Sequence, residues 1–136
     1  MKTLHPIFIL FFFILASFFI PENTFAQNTS KWIAPSTANQ LENPLKGDQS
    51  ATQAGKKIYM QYCFVCHGNT GKGDGIAGMS LNPRPSDFTS ALVQDQTDGA
   101  LFWKITEGRS PMASYKEILN EKQRWQVVNF IRTLKK

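Results

Sequence analysis

The chain holds two cysteines, three positions apart, with a histidine directly after the second: Cys63-Phe64-Val65-Cys66-His67. On a helix, positions i, i+3 and i+4 share one face, so both thiols and the imidazole point the same way. Whatever they bind must lie against that face, and the rest of the fold must be arranged around it. Four readings compete. A thioredoxin-like redox pair expects a strand–helix–strand setting. Zinc usually takes four ligands, and only three stand here. A plain disulfide leaves His67 without a part. The fourth is covalent haem: two thiols at this spacing can form thioethers to the two vinyl groups of one porphyrin, with the adjacent imidazole under the iron.

The N-terminus bears on the compartment. After Met1-Lys2 an apolar run extends from Ile7 to Ile20, shorter than the roughly 20 residues of a comfortable membrane span. Small residues follow at Thr24 and Ala26. The pattern is that of a secretory signal peptide over 1–26, cut after Ala26, which implies a periplasmic protein. The alternative is retention of the segment as an uncleaved anchor to the inner membrane. Cutting removes His5, which leaves His67 as the sole imidazole. It also removes Lys2 and Glu22 together, so the net charge stays at +5. The basic residues Lys56, Lys57, Lys72, Lys104, Arg109 and Lys116 are scattered rather than packed in a run. That argues against nucleic acid in an exported protein and leaves an anionic surface or an acidic protein partner, with most of these residues individually reading as solvated surface.

Residues 27–49 are rich in Asn, Gln, Ser, Thr and Pro, lack periodicity and read as a flexible arm whose one large apolar pair, Trp32-Ile33, is expected to dock on the domain, against docking on a partner or a free tether. The folded domain spans 50–136. Ser50 with Gln53 has capping-box spacing, which predicts a helix through Cys66. A glycine-rich loop and the proline-rich "SLNPRPSDF" follow without regular structure. Thr97 caps a short helix, "DGALFWKITE", that Gly108 stops. Asn120 with Gln123 opens a last helix, in which Val127, Phe130, Ile131 and Leu134 share a face. No strand pattern is present, so the fold class is all-α with about three main helices and long loops. So little regular structure makes a poor core by itself, and an apolar group is expected to fill the middle.

With these features the sequence closely resembles the class I c-type cytochromes over about residues 50–136. Gly55 and Tyr59 match the glycine and aromatic on that family's first helix, and Phe130, one turn after Val127, matches the aromatic of the last. "GKGDGIAG" is similar to its haem-edge loop. The resemblance implies one haem c attached through Cys63 and Cys66, with His67 as proximal ligand. The family commonly has proline at the Ile76 position, whose carbonyl accepts a hydrogen bond from the proximal histidine.

Three methionines compete for the sixth position. Met60 shares the helix of His67 and lies on the wrong side. Met79 is within chain reach but suits the haem edge. Met112 follows a helix-stopping glycine and a proline, in the loop where the family carries its axial methionine; Ala113 replaces the proline that often follows. The resemblance also suggests Trp103 as a propionate donor, against plain packing on the porphyrin. Arg84 is a second propionate candidate, against a solvated loop arginine. Phe88, Phe102 and Tyr115 read as core.

Iron held from both sides has no open position, so the expected function is a one-electron carrier rather than an enzyme. The alternative is a cytochrome subunit of a larger oxidoreductase, and a third reading is a peroxidase-like or gas-sensing haem with a labile Met112. Expected partners are redox proteins with acidic docking patches, such as a quinol-oxidising complex or a terminal oxidase. No small-molecule substrate is expected.

Overall fold

A computed structural model describes residues 31–136. The expected leader, the cut after Ala26 and His5 lie outside these residues. Five helices follow in order: α1 (Gln49–Tyr62), α2 (Phe64–His67), α3 (Ala91–Gln94), α4 (Asp98–Glu107) and α5 (Glu121–Arg132). Among the described residues no strand forms, and no helix is long and apolar enough to cross a membrane. The all-α expectation holds.

Helix α1 starts two residues before the predicted position. Asp48, not Ser50, is its cap: the carboxylate accepts from Ala51 N at 3.0 Å, and Ser50 Oγ donates to that same carboxylate at 2.8 Å. A negative acceptor suits the positive end of a helix better than a hydroxyl does. The helix also pauses where continuity to Cys66 was expected. Cys63 ends α1 with its N–H on Tyr59 O, and its own carbonyl then receives His67 N at 2.9 Å to start α2.

Helices α4 and α5 agree closely with expectation. Thr97 caps α4 through Ala100 N, and Gly108 ends it at φ 66°. A side chain at Gly108 would also meet the Ala113–Ser114 backbone. Asn120 and Gln123 form the reciprocal capping box on α5. That helix ends at Arg132, earlier than predicted, because Thr133 N and Thr133 Oγ1 both close on Phe130 O. The short α3 was not foreseen.

The central packing is the crossing of α1 on α5. Gly55 lies against the Gln126 backbone so closely that a Cβ would collide with the Gln126 carbonyl. Tyr59 and Phe130 meet beside it with ring centroids 4.9 Å apart. Tyr59, Val127 and Val128 are essentially sealed from water, and burying each apolar side chain of this kind stabilises by about 1.5–3 kcal/mol. Helix α4 packs on α5 through Phe102 stacked on Trp125 at 3.9 Å and through the Arg132–Asp98 ion pair at 2.6 Å.

The described part of the segment expected to be a flexible arm, residues 31–49, packs onto this frame, with Gln49 already in α1. Ala34 and Ala38 are buried, and a 3-10 turn forms at Ala38–Gln40. Asn43 Nδ2 donates to Asp98 and to Asn129 at 2.9 and 2.7 Å. Small and amide residues do this anchoring without a periodic signature. Of the apolar pair, Trp32 docks while Ile33 stays 70% exposed.

Candidate functional site

Cys63 and Cys66 are free thiols one helical turn apart. Among the described residues no three His, Cys, Asp or Glu side chains are grouped to hold a metal ion, which removes the zinc reading. Burial, with the neighbouring Cys66 adding to it, pushes the Cys63 thiol up to about 12.

His67 is half-buried, and its ring stacks on Phe88 with centroids 4.2 Å apart and planes 17° from parallel. Burial lowers its pKa, opposed by the backbone of Ser86. The Nδ1 atom faces Ser86 O at 3.4 Å, a long contact. With the proton on Nδ1, the lone pair of Nε2 is left for a metal. The expected acceptor was the carbonyl of Ile76. That residue is instead 83% exposed on the glycine loop, and the chain passes the imidazole ten residues later, at Ser86. Phe88 N on Gly71 O at 2.7 Å, and Gln94 Nε2 on Phe88 O at 2.6 Å, hold that passing segment in place.

The glycine loop folds back on the attachment motif. Gly73 N donates to His67 O at 2.9 Å, Gly75 N to Cys66 O at 3.2 Å and Ala77 N to Val65 O at 3.0 Å. Met79, in the 3-10 turn Gly78–Ser80, is carried by this loop on the motif's own backbone and is 55% exposed. Met60 is also exposed.

Met112 has a different setting. It is half-buried against the core cluster that contains Leu101, Ile105, Val127 and Ile131. Arg109 and Met112 exchange both main-chain hydrogen bonds, at 3.0 and 2.8 Å, which closes a tight turn. Two bonds tie the turn to the end of α4: Ser114 Oγ to Thr106 O at 2.6 Å and Tyr115 N to Ile105 O at 3.1 Å. Tyr115 Oη then reaches across to donate to Tyr62 O at 3.0 Å, next to Cys63. Burial comes first among the causes that push the Tyr115 hydroxyl up to about 12, followed by the charges of Cys63 and Cys66. Tyr115 thus joins the Met112 turn to the thiols, a role that sequence reasoning, which treated it only as core, did not find.

Trp103 packs against Ala34, Ala38 and Ala100, and its ring faces Trp32 at 6.3 Å. Its packing partner is the N-terminal segment. Arg84 is exposed on its loop.

Residues 50–131, more than half of the chain, match the family described as "Cytochrome C oxidase, cbb3-type, subunit III". The chain belongs to the class I c-type cytochromes. Two solved structures are similar to the cytochrome. One is a chain of the Kuenenia stuttgartiensis reducing HAO-like protein complex Kustc0457/Kustc0458, with 26% identity and a TM-score of 0.61 over 71% of this chain and 50% of that one. The other is the KustC0563 c-type cytochrome, with 29% identity and a TM-score of 0.52 over 60% of this chain and 98% of that one. The cytochrome matches about half the length of the first of these. No curated protein matches its sequence.

The family implies covalently bound haem c, and the side chains fit that group. Two unpaired thiols sit on one helical turn beside an imidazole whose Nδ1 is directed at a carbonyl, and a thioether lies on a turn linked to them. Electron transfer is the activity that such a domain supports.

Proposed function

We propose that the cytochrome is a periplasmic one-electron carrier with a single haem c, attached through thioethers at Cys63 and Cys66 and ligated by His67 and Met112. When bound, the haem supplies an iron couple that changes by one electron, and a thioether ligand raises its potential relative to a second imidazole. The observation that carries this reading is the Tyr115–Tyr62 hydrogen bond, because it brings the Met112 turn to the start of the attachment motif. Met79 has the opposite attachment, on the loop that folds against the motif's own backbone.

The chain's own side chains have distinct tasks. Ser86 O and the Phe88 ring orient His67, and Tyr115 and Ser114 place the turn that offers Met112. The apolar cluster around Leu101, Ile105, Val127 and Ile131 excludes water. Arg84 is a candidate for a propionate, whereas the contacts of Trp103 favour packing. Export rests on the leader pattern at 1–26.

A second reading, as a cytochrome subunit of a larger oxidoreductase, is favoured by the family's description and by the complex in which one structural neighbour occurs. In either setting the exposed Lys72, Arg109 and Lys116 favour partners with acidic docking patches, such as a quinol-oxidising complex or a terminal oxidase.

Fractionation and carbon monoxide binding test the proposal together. Release with the periplasmic contents as an isolated haem protein, with slow carbon monoxide binding in the ferrous state, is the expected result. Rapid binding would contradict two-sided ligation. Recovery only in a membrane complex would favour the subunit reading.

A further inference from the structure

Residues 31–48 lie outside the stretch that matches the family, yet they are built into the fold beside the Met112 turn. The segment is fastened at two places. Ala34 and Ala38 are buried with Ala100, while Thr97 Oγ1 donates to Asn39 Oδ1 at 2.9 Å. Further along, Asn43 bridges Asp98 and Asn129. At the N-terminal end of this fastened stretch stands Trp32. Its ring meets Trp103 and is flanked by two cations, with the Arg109 guanidinium 5.1 Å and Lys104 Nζ 5.5 Å from the ring centre. Burial, and then the charges of Arg109 and Lys31, lower the pKa of Lys104. Like charges gathered in this way repel, and the electron-rich face of the indole offsets part of that repulsion.

Arg109 is also the residue whose main chain exchanges both hydrogen bonds with Met112. A chain of contacts therefore runs from the fastened segment through Trp32 to the Arg109 side chain, and through the Arg109 backbone to Met112. Ser110 and Pro111, between the two, are exposed and add little packing of their own.

We infer that the N-terminal segment is a strap over the ligand turn and that Trp32 is a positioning residue for the Met112 thioether. The inference rests on the His67/Met112 ligation proposed above. An excursion of the turn's backbone that withdraws Met112 carries Arg109 with it, and so strains the contact of the guanidinium with the Trp32 ring. Removing the ring makes that excursion more frequent by about threefold to tenfold, the effect of losing one cation–π contact. The touching pair is coupled, so the effects of losing its two members do not add.

The test uses full-length holoprotein and two readouts: the rate at which carbon monoxide binds the ferrous protein, and the near-infrared iron–thioether band of the ferric protein. Trp32→Ala and Arg109→Gln should each speed carbon monoxide binding by about threefold to tenfold while keeping the band. The double variant should be no faster than the faster single variant. Trp32→Phe, which keeps an aromatic face, should stay within about twofold of the parent. Met112→Ala calibrates the assay by losing the band. If Met112→Ala keeps the band, the ligand assignment fails and the strap falls with it. If it loses the band while Trp32→Ala binds at the parental rate, or if the two single effects multiply, the strap is overturned and the ligation stands.

Discussion

The segment carrying Cys63, Cys66 and His67 is enclosed by main-chain hydrogen bonds from the glycine loop, at Val65 O, Cys66 O and His67 O. The Met112 turn, in contrast, has one reciprocal main-chain pair of its own and a single main-chain bond to its surroundings, from Tyr115 N to Ile105 O; its other ties are side chains, those of Ser114, Tyr115 and Arg109. Backbone bonds persist through most substitutions, whereas a side-chain tie is lost with its residue. The imidazole side of the site is therefore expected to be the fixed one, and the thioether side the one that opens. Under the ligation proposed above, the carrier reading requires that this side open only rarely, and single residues around the turn set how rarely.

Removing the attachment should have the largest effect. With Cys63→Ser and Cys66→Ser together, all haem should leave on acid–acetone extraction, and the apoprotein should lose cooperative unfolding. Haem that stays with the polypeptide would contradict attachment at these thiols. Next comes the frame beneath both sides. Gly55→Ala places a methyl group into the Gln126 carbonyl, and overpacking of this kind costs about 1–3 kcal/mol. Guanidinium unfolding of the holoprotein should show a loss near the upper end of that range. A change below about 0.5 kcal/mol would mean that the helices part easily, and that neither side is as fixed as described.

How far the sequence foretold this asymmetry depends on how each contact is encoded. The caps at Thr97 and Asn120, the stop at Gly108 and the apolar face of α5 were legible because local hydrogen bonding and periodicity specify them. The fixed side was legible through the spacing of Cys63, Cys66 and His67. The carbonyl facing His67 was not, because any residue supplies one, and only the path of the chain selects Ser86 over Ile76. Tyr115 read as a core aromatic, since nothing local shows that its hydroxyl crosses to Tyr62, 53 positions away. The docking of Ala34, Ala38 and Asn43 was likewise hidden, because small and amide residues in a polar stretch look the same whether packed or free.

The side-chain ties give smaller predictions. Tyr115→Phe removes the hydrogen bond to Tyr62 and should cost about 1 kcal/mol, with the near-infrared thioether band lost at lower guanidinium concentration than in the parent. Equal persistence of the band would remove Tyr115 from the account of the labile side. The smallest effect concerns the partner. Changing Lys72, Arg109 and Lys116 to Glu should slow electron transfer to a natural oxidant by about threefold at low salt, with the difference shrinking as salt rises. Stopped-flow kinetics at several ionic strengths measures this. A rate indifferent to both salt and charge reversal would exclude docking through these residues.

Near-infrared magnetic circular dichroism of the ferric full-length protein reports thioether ligation itself, and so decides which methionine binds the iron. The iron–thioether band is expected in the parent and in Met79→Ala, and is expected to be lost in Met112→Ala. A band that survives Met112→Ala and disappears in Met79→Ala would place the ligand on the glycine loop and contradict the division into a fixed and a labile side.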